Sequence, residues 1–224
     1  MSYVITIDGP AGAGKSSVAK RVAKSLGIKY LDTGAIYRAI ALLLAKSEIK
    51  PESEDFLREA LSEIKIELRE NSVLVNGFDV SGEIRTPEVD ELASVYSALP
   101  VVREALLGLQ QDQEKYGSIV AEGRDVGSVV FPDAKVKFFL TASPEARAKR
   151  RYLERVNKGK EANYDEILES IKHRDKNDSQ RELAPLSVPE GAIYLDTSDI
   201  TEDEAVTFII HHVNEAINNH NETK

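Results

Sequence analysis

A glycine-rich segment near the start of the chain has the residue types and the spacing needed to hold phosphate groups. Residues 9–16 fit the pattern Gly-x-x-x-x-Gly-Lys-Ser/Thr of a phosphate-binding P-loop. Glycines allow successive backbone N–H groups to converge on phosphate oxygens, because no Cβ stands in the way. Lys15 is expected to reach the β- and γ-phosphates of a nucleotide, and the Ser16 hydroxyl is expected to ligate Mg²⁺. The predicted phosphate-binding residues are Gly9, Pro10, Ala11, Gly12, Ala13, Gly14, Lys15, Ser16 and Ser17.

Many arginines follow in the rest of the chain, and they could hold further phosphate groups. Transfer between two phosphorylated molecules needs many cations, and the planar guanidinium binds phosphate oxygens with two parallel hydrogen bonds. Arg124 follows the end of a predicted strand, and Arg38 lies one turn into a predicted helix. The basic run 147–155 precedes a polar segment, 157–163, and this order predicts a lid that excludes water. The candidate arginines are Arg38, Arg103, Arg124, Arg147, Arg150, Arg151, Arg174 and Arg181.

Five short apolar segments separated by helical patterns predict the fold that must position these residues. We expect a five-stranded, mostly parallel sheet with helices on both faces, because strands and helices alternate along the chain. Ligands in such sheets bind beyond the carboxyl ends of the strands, where the P-loop, Asp32, Glu122 and Arg124 would meet. The predicted strands are 3–7, 29–32, 118–122, 135–140 and 192–196.

A different period interrupts this pattern between residues 64 and 84. Residues 64–69 alternate between apolar and polar side chains, a turn is expected at Asn71, and 73–75 form a second apolar segment. Asn76-Gly77 is a strong hairpin signal, and residues 80–84 could continue the ribbon. We therefore predict a small antiparallel β insertion within the α/β chain.

Several residues predict where helices begin and end. Thr33 is expected to cap the helix that runs to about Leu44. Helices are expected to begin at Pro87 and at Pro100 and to run through about 98 and 116, because proline favours the first helical position. Thr201 and Glu204 form a capping box for a last helix that ends near residue 217.

Composition limits the classes of protein to which the chain could belong. Its 224 residues suit one domain, and 42% hydrophobic residues suffice for a packed core. The chain has no cysteine, which excludes disulfides and fits a reducing cytoplasm. A net charge of −9 argues against nucleic-acid binding, and no apolar run predicts a membrane span.

Beyond the P-loop, several blocks of sequence resemble the bacterial cytidylate kinases. The P-loop alone would indicate only a P-loop phosphotransferase or NTPase, but the blocks together are specific. The resemblance extends over about residues 3–215. The blocks are Ile5–Pro10, Leu31–Arg38, Asp79–Thr86, Glu122–Gly127, Val130–Ala134, Ile171–Asp175 with Asp178 and Arg181, and Ala184–Leu186.

The resemblance implies ATP-dependent phosphorylation of CMP and dCMP to their diphosphates by a nucleoside monophosphate kinase that uses Mg²⁺. It implies that the core comprises about 1–34, 100–146 and 170–224, that 35–99 binds the monophosphate, and that 147–169 is the lid. A cytoplasmic monomer is expected, with no nucleic-acid or membrane partner. There are two competing hypotheses: a kinase for a different monophosphate, and a nucleotide-dependent switch or binding module.

The resemblance also implies a role for particular residues. The roles are as follows: Arg38 binds the acceptor phosphate; Ser94, Arg103 and Asp125 read the base; Arg124, Arg174 and Arg181 hold phosphates; Asp178 holds the sugar; Arg147 and Arg151 stabilise the moving charge; Thr33 stands where some relatives carry serine. Whether Arg150 or Arg151 is the lid contact stays open. Glu122 has two interpretations, a water-mediated hold on Mg²⁺ or an ion pair with a nearby arginine.

Overall fold

The computed structural model describes residues 2–69 and 72–221, and its centre is a five-stranded sheet. The strands are β1 (Val4–Asp8), β2 (Lys29–Asp32), β3 (Ile66–Leu68), β4 (Val73–Val75), β5 (Phe78–Asp79), β6 (Ile119–Gly123), β7 (Val136–Thr141) and β8 (Ile193–Asp196). The helices are α1 (Lys15–Leu26), α2 (Thr33–Lys46), α3 (Glu54–Glu63), α4 (Pro87–Tyr96), α5 (Pro100–Gln111), α6 (Pro144–Asn157), α7 (Tyr164–Ser179) and α8 (Glu202–Asn221).

The central sheet has the order β2-β6-β1-β7-β8, and every neighbouring pair is parallel. The predicted five-stranded parallel sheet is therefore confirmed. All residues of β1 and β6 are buried, as expected for strands covered on both faces. Because β1 lies between β6 and β7 and is parallel to both, the carboxyl ends of the three strands lie at one edge of the sheet. Ligands bind at that edge in this class of sheet.

Helices cover both faces of the sheet, because successive strand residues point to opposite sides. On one face, Ile5 and Phe138 pack against α1 and α8. On the other face, Val4 and Ile119 pack against α2, α3 and α5, with Leu44 fully buried among them. Both layers hold the strand ends, and so the loops that follow them, in fixed positions.

The predicted β insertion is present as a second, three-stranded antiparallel sheet with the order β3-β4-β5. Asn76 and Gly77 turn the chain with positive φ angles of 51° and 83°, as the hairpin signal indicated. The expected continuation through residues 80–84 is wrong, because the ribbon ends at Asp79 and a 3-10 helix follows at Glu83–Arg85. The predicted turn at Asn71 lies outside the described residues.

Several predicted helix ends differ from those in the structure, among them the end of α4 at Tyr96 and the end of α8 at Asn221. Asp32, not Thr33, caps α2, and its side chain accepts a hydrogen bond from the backbone N–H of Ala35. The helix that begins at Pro100 ends at Gln111 and continues as a 3-10 helix over Asp112–Tyr116. The capping box at the start of α8 is confirmed: Thr201 and Glu204 exchange hydrogen bonds.

Length and hydropathy decide whether a helix could span a membrane. In the ranges that the structure describes, no single helix is long and apolar enough to cross a membrane. One bent pair, α4 with the segment Pro100–Tyr116, passes on length and composition alone, with a bend of 101°.

Candidate active site

The carboxyl edge of the sheet opens into a cleft of about 940 Å³. Its wall combines Ala11–Ser17 of the P-loop, the start of α2, the inner face of α4, and the basic faces of α6 and α7. All eight candidate arginines lie in this wall, together with Thr33, Ser94, Asp125 and Asp178. The tertiary structure therefore brings the two predicted groups, P-loop and arginines, into one site.

The P-loop has the strand–loop–helix arrangement that its sequence predicts. Gly9 has a φ of 147°, and a Cβ at this position would lie 1.8 Å from the carbonyl oxygen of Leu140. Gly14 adopts a left-handed conformation, with φ of 90°, just before α1 begins at Lys15. These conformations direct the free N–H groups at the start of α1 towards the cleft, where they can bind an anion.

Lys15 is buried at the base of the cleft, where its Nζ donates a hydrogen bond of 2.9 Å to the carbonyl oxygen of Pro10. Burial, and after it the positive charge of Arg124, lower the pKa of Lys15 to about 7, although Glu122 opposes the shift. A bound phosphate would supply the missing negative charge and hold the proton on this amine.

Ser16 and Glu122 form the oxygen-rich part of the site. The Ser16 hydroxyl donates to Oε1 of Glu122 at 2.5 Å, and the Tyr30 hydroxyl donates to the same oxygen at 3.0 Å. In the described part of the chain, no arginine forms an ion pair with Glu122, so the interpretation of Glu122 as an arginine partner finds no support. A hydroxyl beside a buried carboxylate is the donor set that Mg²⁺ prefers, and these two residues fit that ion.

Thr33 lies beside this pair, but its hydroxyl has another partner. Its Oγ1 donates a hydrogen bond of 2.8 Å to the carbonyl oxygen of Glu122. A Cβ on the next residue, Gly123, would lie 2.4 Å from the same Oγ1. Thr33 therefore joins the start of α2 to the end of β6 and keeps a lone pair free to accept from a ligand.

Asp125 and Arg103 form an ion pair in the wall of the cleft. Nη2 of Arg103 donates to Oδ2 of Asp125, and Nη1 donates to the carbonyl oxygen of Ser97 at 3.2 Å. Burial raises the pKa of Asp125, and Arg103 opposes the shift. Ser94 lines the same region from α4, half-buried. Polar groups held this way in a mostly buried wall can read the edge of a base.

Asp178 joins two of the candidate phosphate-binding arginines. Its Oδ2 accepts from Nε of Arg124 at 2.9 Å, and its Oδ1 accepts from Arg181. Burial raises the pKa of Asp178, but Arg124 and Arg181 together more than offset this and leave that pKa below its usual value. Asp178 therefore orients both guanidiniums, in addition to any contact that it makes with a sugar.

Two other arginines have donors without partners. Arg38 lies 3.1 Å from Oδ2 of Asp32, yet its Nε is buried and bonds to no other described residue. The Nε of Arg174 is in the same condition. Burial lowers the pKa of Arg174, as does the nearby Arg124. Buried donors of this kind are rare in folded proteins unless a ligand satisfies them, so both point to an anion.

Helix α6 brings three arginines to the site in different ways. Arg150 is held by Thr197, to which it donates at 3.1 Å, whereas the Arg151 side chain is 32% exposed and faces the cleft. This arrangement favours Arg151 over Arg150 as the lid contact. Arg147 was expected to contact the moving charge, but its donors already bind Ala11, Ala142 and Asp175. A guanidinium only 3% exposed needs such internal partners, and Arg147 thereby anchors α6 to the P-loop.

Sequence reasoning missed two residues that shape the site. Asp8 accepts hydrogen bonds from the N–H groups of Val126 and Gly127, at 2.8 and 2.7 Å, and so fixes the turn that carries Arg124 and Asp125. Its position directly before Gly9, at a strand end, was a signal that could have found it. Asp90, which faces Arg38, Arg151 and Arg174, gave no such signal.

Comparison with known proteins identifies relatives over nearly the whole chain. A family model described as cytidylate kinase matches residues 5–215. A cytidylate kinase of Caldanaerobacter subterraneus is 51% identical over 206 residues, 92% of each chain. A cytidylate kinase of Fervidobacterium nodosum is 49% identical over 215 residues, 96% of this chain and 98% of the other. A solved structure of an uncharacterized protein from Eubacterium ventriosum has a similar fold, with TM-score 0.54 and 15% identity over 96% of this chain and 99% of that one.

Proposed function

The chain belongs to the cytidylate kinase family, and from this premise we propose how its cleft carries out the ATP-dependent phosphorylation of CMP and dCMP. The observation that carries the proposal is the position of the arginine cluster. It lines the same cleft as the P-loop, which would hold the donor, and the Asp125–Arg103 pair, which would read the acceptor. A cleft with phosphate-binding groups at two places suits a transfer between two nucleotides.

The donor side of the cleft would hold the phosphates of ATP. Backbone N–H groups between Gly9 and Ser17 would bind the phosphate oxygens, and Lys15 would pair with the β- and γ-phosphates. Ser16 and Glu122 would hold Mg²⁺, which neutralises phosphate charge when it is bound. Their hydroxyl and carboxylate oxygens, already together at 2.5 Å, support this assignment.

The acceptor side would select cytosine by its pattern of donors and acceptors. Asp125 would accept from the exocyclic amine, while Arg103 and Ser94 would donate to the ring nitrogen and carbonyl oxygen. Uracil would place a carbonyl oxygen against the Asp125 carboxylate, so that two acceptors face each other. Such a mismatch costs about 1–3 kcal/mol for each buried polar group left unpaired.

The remaining groups would align the two nucleotides and stabilise the transferring phosphoryl group. Three arginines would bind the phosphate of the acceptor nucleotide: Arg38, Arg174 and Arg181. The Thr33 hydroxyl would accept a hydrogen bond from that nucleotide, and the Asp178 carboxylate would accept one from its sugar. Arg124, Arg151 and Arg174 would neutralise the charge that moves between donor and acceptor, with Lys15 opposite them. The acceptor phosphate oxygen is already anionic, so the reaction needs no general base. Positioning and charge neutralisation account for catalysis.

We propose a division of labour along the chain that follows from this arrangement. Residues 35–99, with the small sheet, bind the monophosphate; 147–169 form a lid; and the rest is the core. Closure of α6 over the phosphates would exclude water and so prevent hydrolysis of ATP. Arg147 would act by holding the lid on the P-loop. A cytoplasmic monomer fits the absence of cysteine and the acidic net charge of −9.

The test is ADP formation from Mg·ATP with CMP, dCMP, UMP, AMP and GMP supplied separately. We expect strong stimulation by CMP and dCMP and weak stimulation by the others. Stimulation by a different monophosphate would keep the mechanism but overturn the base-reading residues. Slow hydrolysis of ATP that no monophosphate changes would overturn the proposal itself. Omitting Mg²⁺ from the same assay tests whether the reaction depends on this ion.

A further inference from the structure

One carboxylate, that of Asp90 on α4, faces three arginines of the cleft. Its Oδ2 lies 3.5 Å from Nη2 of Arg151 and 3.5 Å from Nη1 of Arg174, and its Oδ1 lies 4.0 Å from Nη1 of Arg38. The three arginines belong to three helices, α6, α7 and α2. Asp90 therefore connects the monophosphate-binding region with α6 and α7.

These contacts are long for charge-assisted hydrogen bonds, which usually measure about 2.7–2.9 Å. The Asp90 carboxylate is 25% exposed, so water reaches it. The buried Nε atoms of Arg38 and Arg174 still have no partner in the described part of the chain. One carboxylate thus neutralises part of the cluster but does not satisfy its donors. A phosphate dianion has more charge and more acceptor oxygens, and would satisfy them better.

We propose that Asp90 is a displaceable stand-in for the acceptor phosphate and a positioning residue of this enzyme. In the free chain its charge offsets the mutual repulsion of the three guanidiniums and keeps Arg151 and Arg174 near Arg38. The acceptor phosphate then takes over these arginines, and the carboxylate moves out to solvent. This inference rests on the proposed role of Arg38 and Arg174 in binding that phosphate.

Competition by Asp90 lowers the affinity of the site for every anion. Every anion must displace the carboxylate before it gains the three arginines. Free phosphate has only these charge contacts to offset the loss, whereas CMP also gains the contacts to its base and sugar. Asp90 therefore weakens the binding of inorganic phosphate and of CMP by a similar factor, and CMP still binds because its base and sugar contacts do not involve Asp90.

The test compares Asp90→Asn with Glu91→Gln, which removes the same charge from the next, exposed position of α4. Glu91 forms no ion pair within residues 2–69 and 72–221. The readouts are the inhibition constant of inorganic phosphate against CMP, the KM for CMP and the KM for ATP. Asp90→Asn should lower the first two by about threefold to fivefold, the upper end of the range for a partly exposed ion pair, and leave the third unchanged. Glu91→Gln should change none of them by more than about twofold.

Several results would overturn the inference. If Asp90 only braces the arginines, its replacement will weaken phosphate and CMP binding and lower kcat. Equal tightening in Glu91→Gln would show a general effect of charge. Asp90→Ser serves as a second neutral variant if Asp90→Asn folds poorly, and Asp90→Glu should behave as wild type. An unchanged CMP KM in Arg38→Lys would instead remove the proposed phosphate site, whatever Asp90 does.

Discussion

Replacing Asp125 by asparagine should change which pyrimidine the enzyme prefers. The Asp125 side chain is only 8% exposed, and one of its oxygens, Oδ2, is bound by Arg103. The proposed acceptor contact is therefore made by Oδ1, which would receive the cytosine amine. Asparagine keeps the shape of the side chain and one carbonyl oxygen, which can stay with Arg103, but it turns the second oxygen into an NH₂ donor.

The magnitude follows from counting unpaired groups in this mostly buried wall. With CMP, two donors would face each other, at a cost of about 1–3 kcal/mol. With UMP, the new amide would donate to the uracil carbonyl oxygen and remove a clash of two acceptors of similar cost. Taking about 1 kcal/mol for each change, the ratio of kcat/KM for CMP to that for UMP falls by about 2 kcal/mol, or roughly thirtyfold.

The assay measures kcat/KM for CMP and for UMP at saturating Mg·ATP, in wild type and in Asp125→Asn. The KM for ATP should stay within about threefold, because Asp125 forms hydrogen bonds with Arg103 and Ser128 and not with the P-loop. Asp55→Asn, at an exposed position of α3, is the matched control and should leave the ratio unchanged. A CMP-to-UMP ratio that does not fall in Asp125→Asn would refute the assignment of Asp125 to the cytosine amine.

Three further predictions concern the P-loop and the strand below it. Burial lowers the pKa of Lys15 to about 7, so the KM for Mg·ATP should rise as pH increases above 7, by up to tenfold per pH unit. Lys15→Ala should lose this pH dependence, and its kcat/KM should fall by the equivalent of roughly 3 kcal/mol or more. Steady-state kinetics from pH 6 to 9 measures both effects. Burial raises the pKa of Asp8 from 3.8 to about 6. The protonated carboxyl therefore stabilises the fold in full below pH 3.8, and this contribution of about 3 kcal/mol is lost as pH rises through 6. Urea unfolding at pH 4 and pH 7 should show the loss in wild type but not in Asp8→Asn. In Gly9→Ala the new Cβ would lie 1.8 Å from the Leu140 carbonyl oxygen, so thermal unfolding should show a destabilisation of about 3 kcal/mol or more. The control Gly82→Ala has open space around its Cβ and should differ from wild type by less than about 1 kcal/mol.

Features that depend on neighbouring residues could be predicted from the sequence. The P-loop, the hairpin at Asn76-Gly77 and the capping box of α8 all follow from side chains a few residues apart. The parallel sheet also followed, because alternating strands and helices leave few other arrangements. Comparison with relatives confirms the family that the sequence blocks indicated.

Local signals failed where two neighbouring residues could both satisfy them. Asp32 and Thr33 are both good capping residues. Thr33 does not cap α2 because it is already the first helical residue, whereas Asp32 before it has the extended backbone of a cap. The Thr33 hydroxyl instead donates to the carbonyl oxygen of Glu122, a residue far away in the chain but adjacent across the sheet edge. A similar limit applies to Arg147, whose burial against the P-loop could not be seen in a charged helix pattern.

The sequence by itself determined the P-loop, the fold class and the supply of arginines, because each is written in residue types and short spacings. Only the tertiary structure decided which carboxylate holds which arginine. Asp178 meets Arg124 across 54 residues, and Ser16 meets Glu122 across 106. An ion pair depends on distance in space and on exclusion of water, and both are set by how the helices pack on the sheet. The same packing places Asp90 among three arginines and leaves two of their donors for a phosphate.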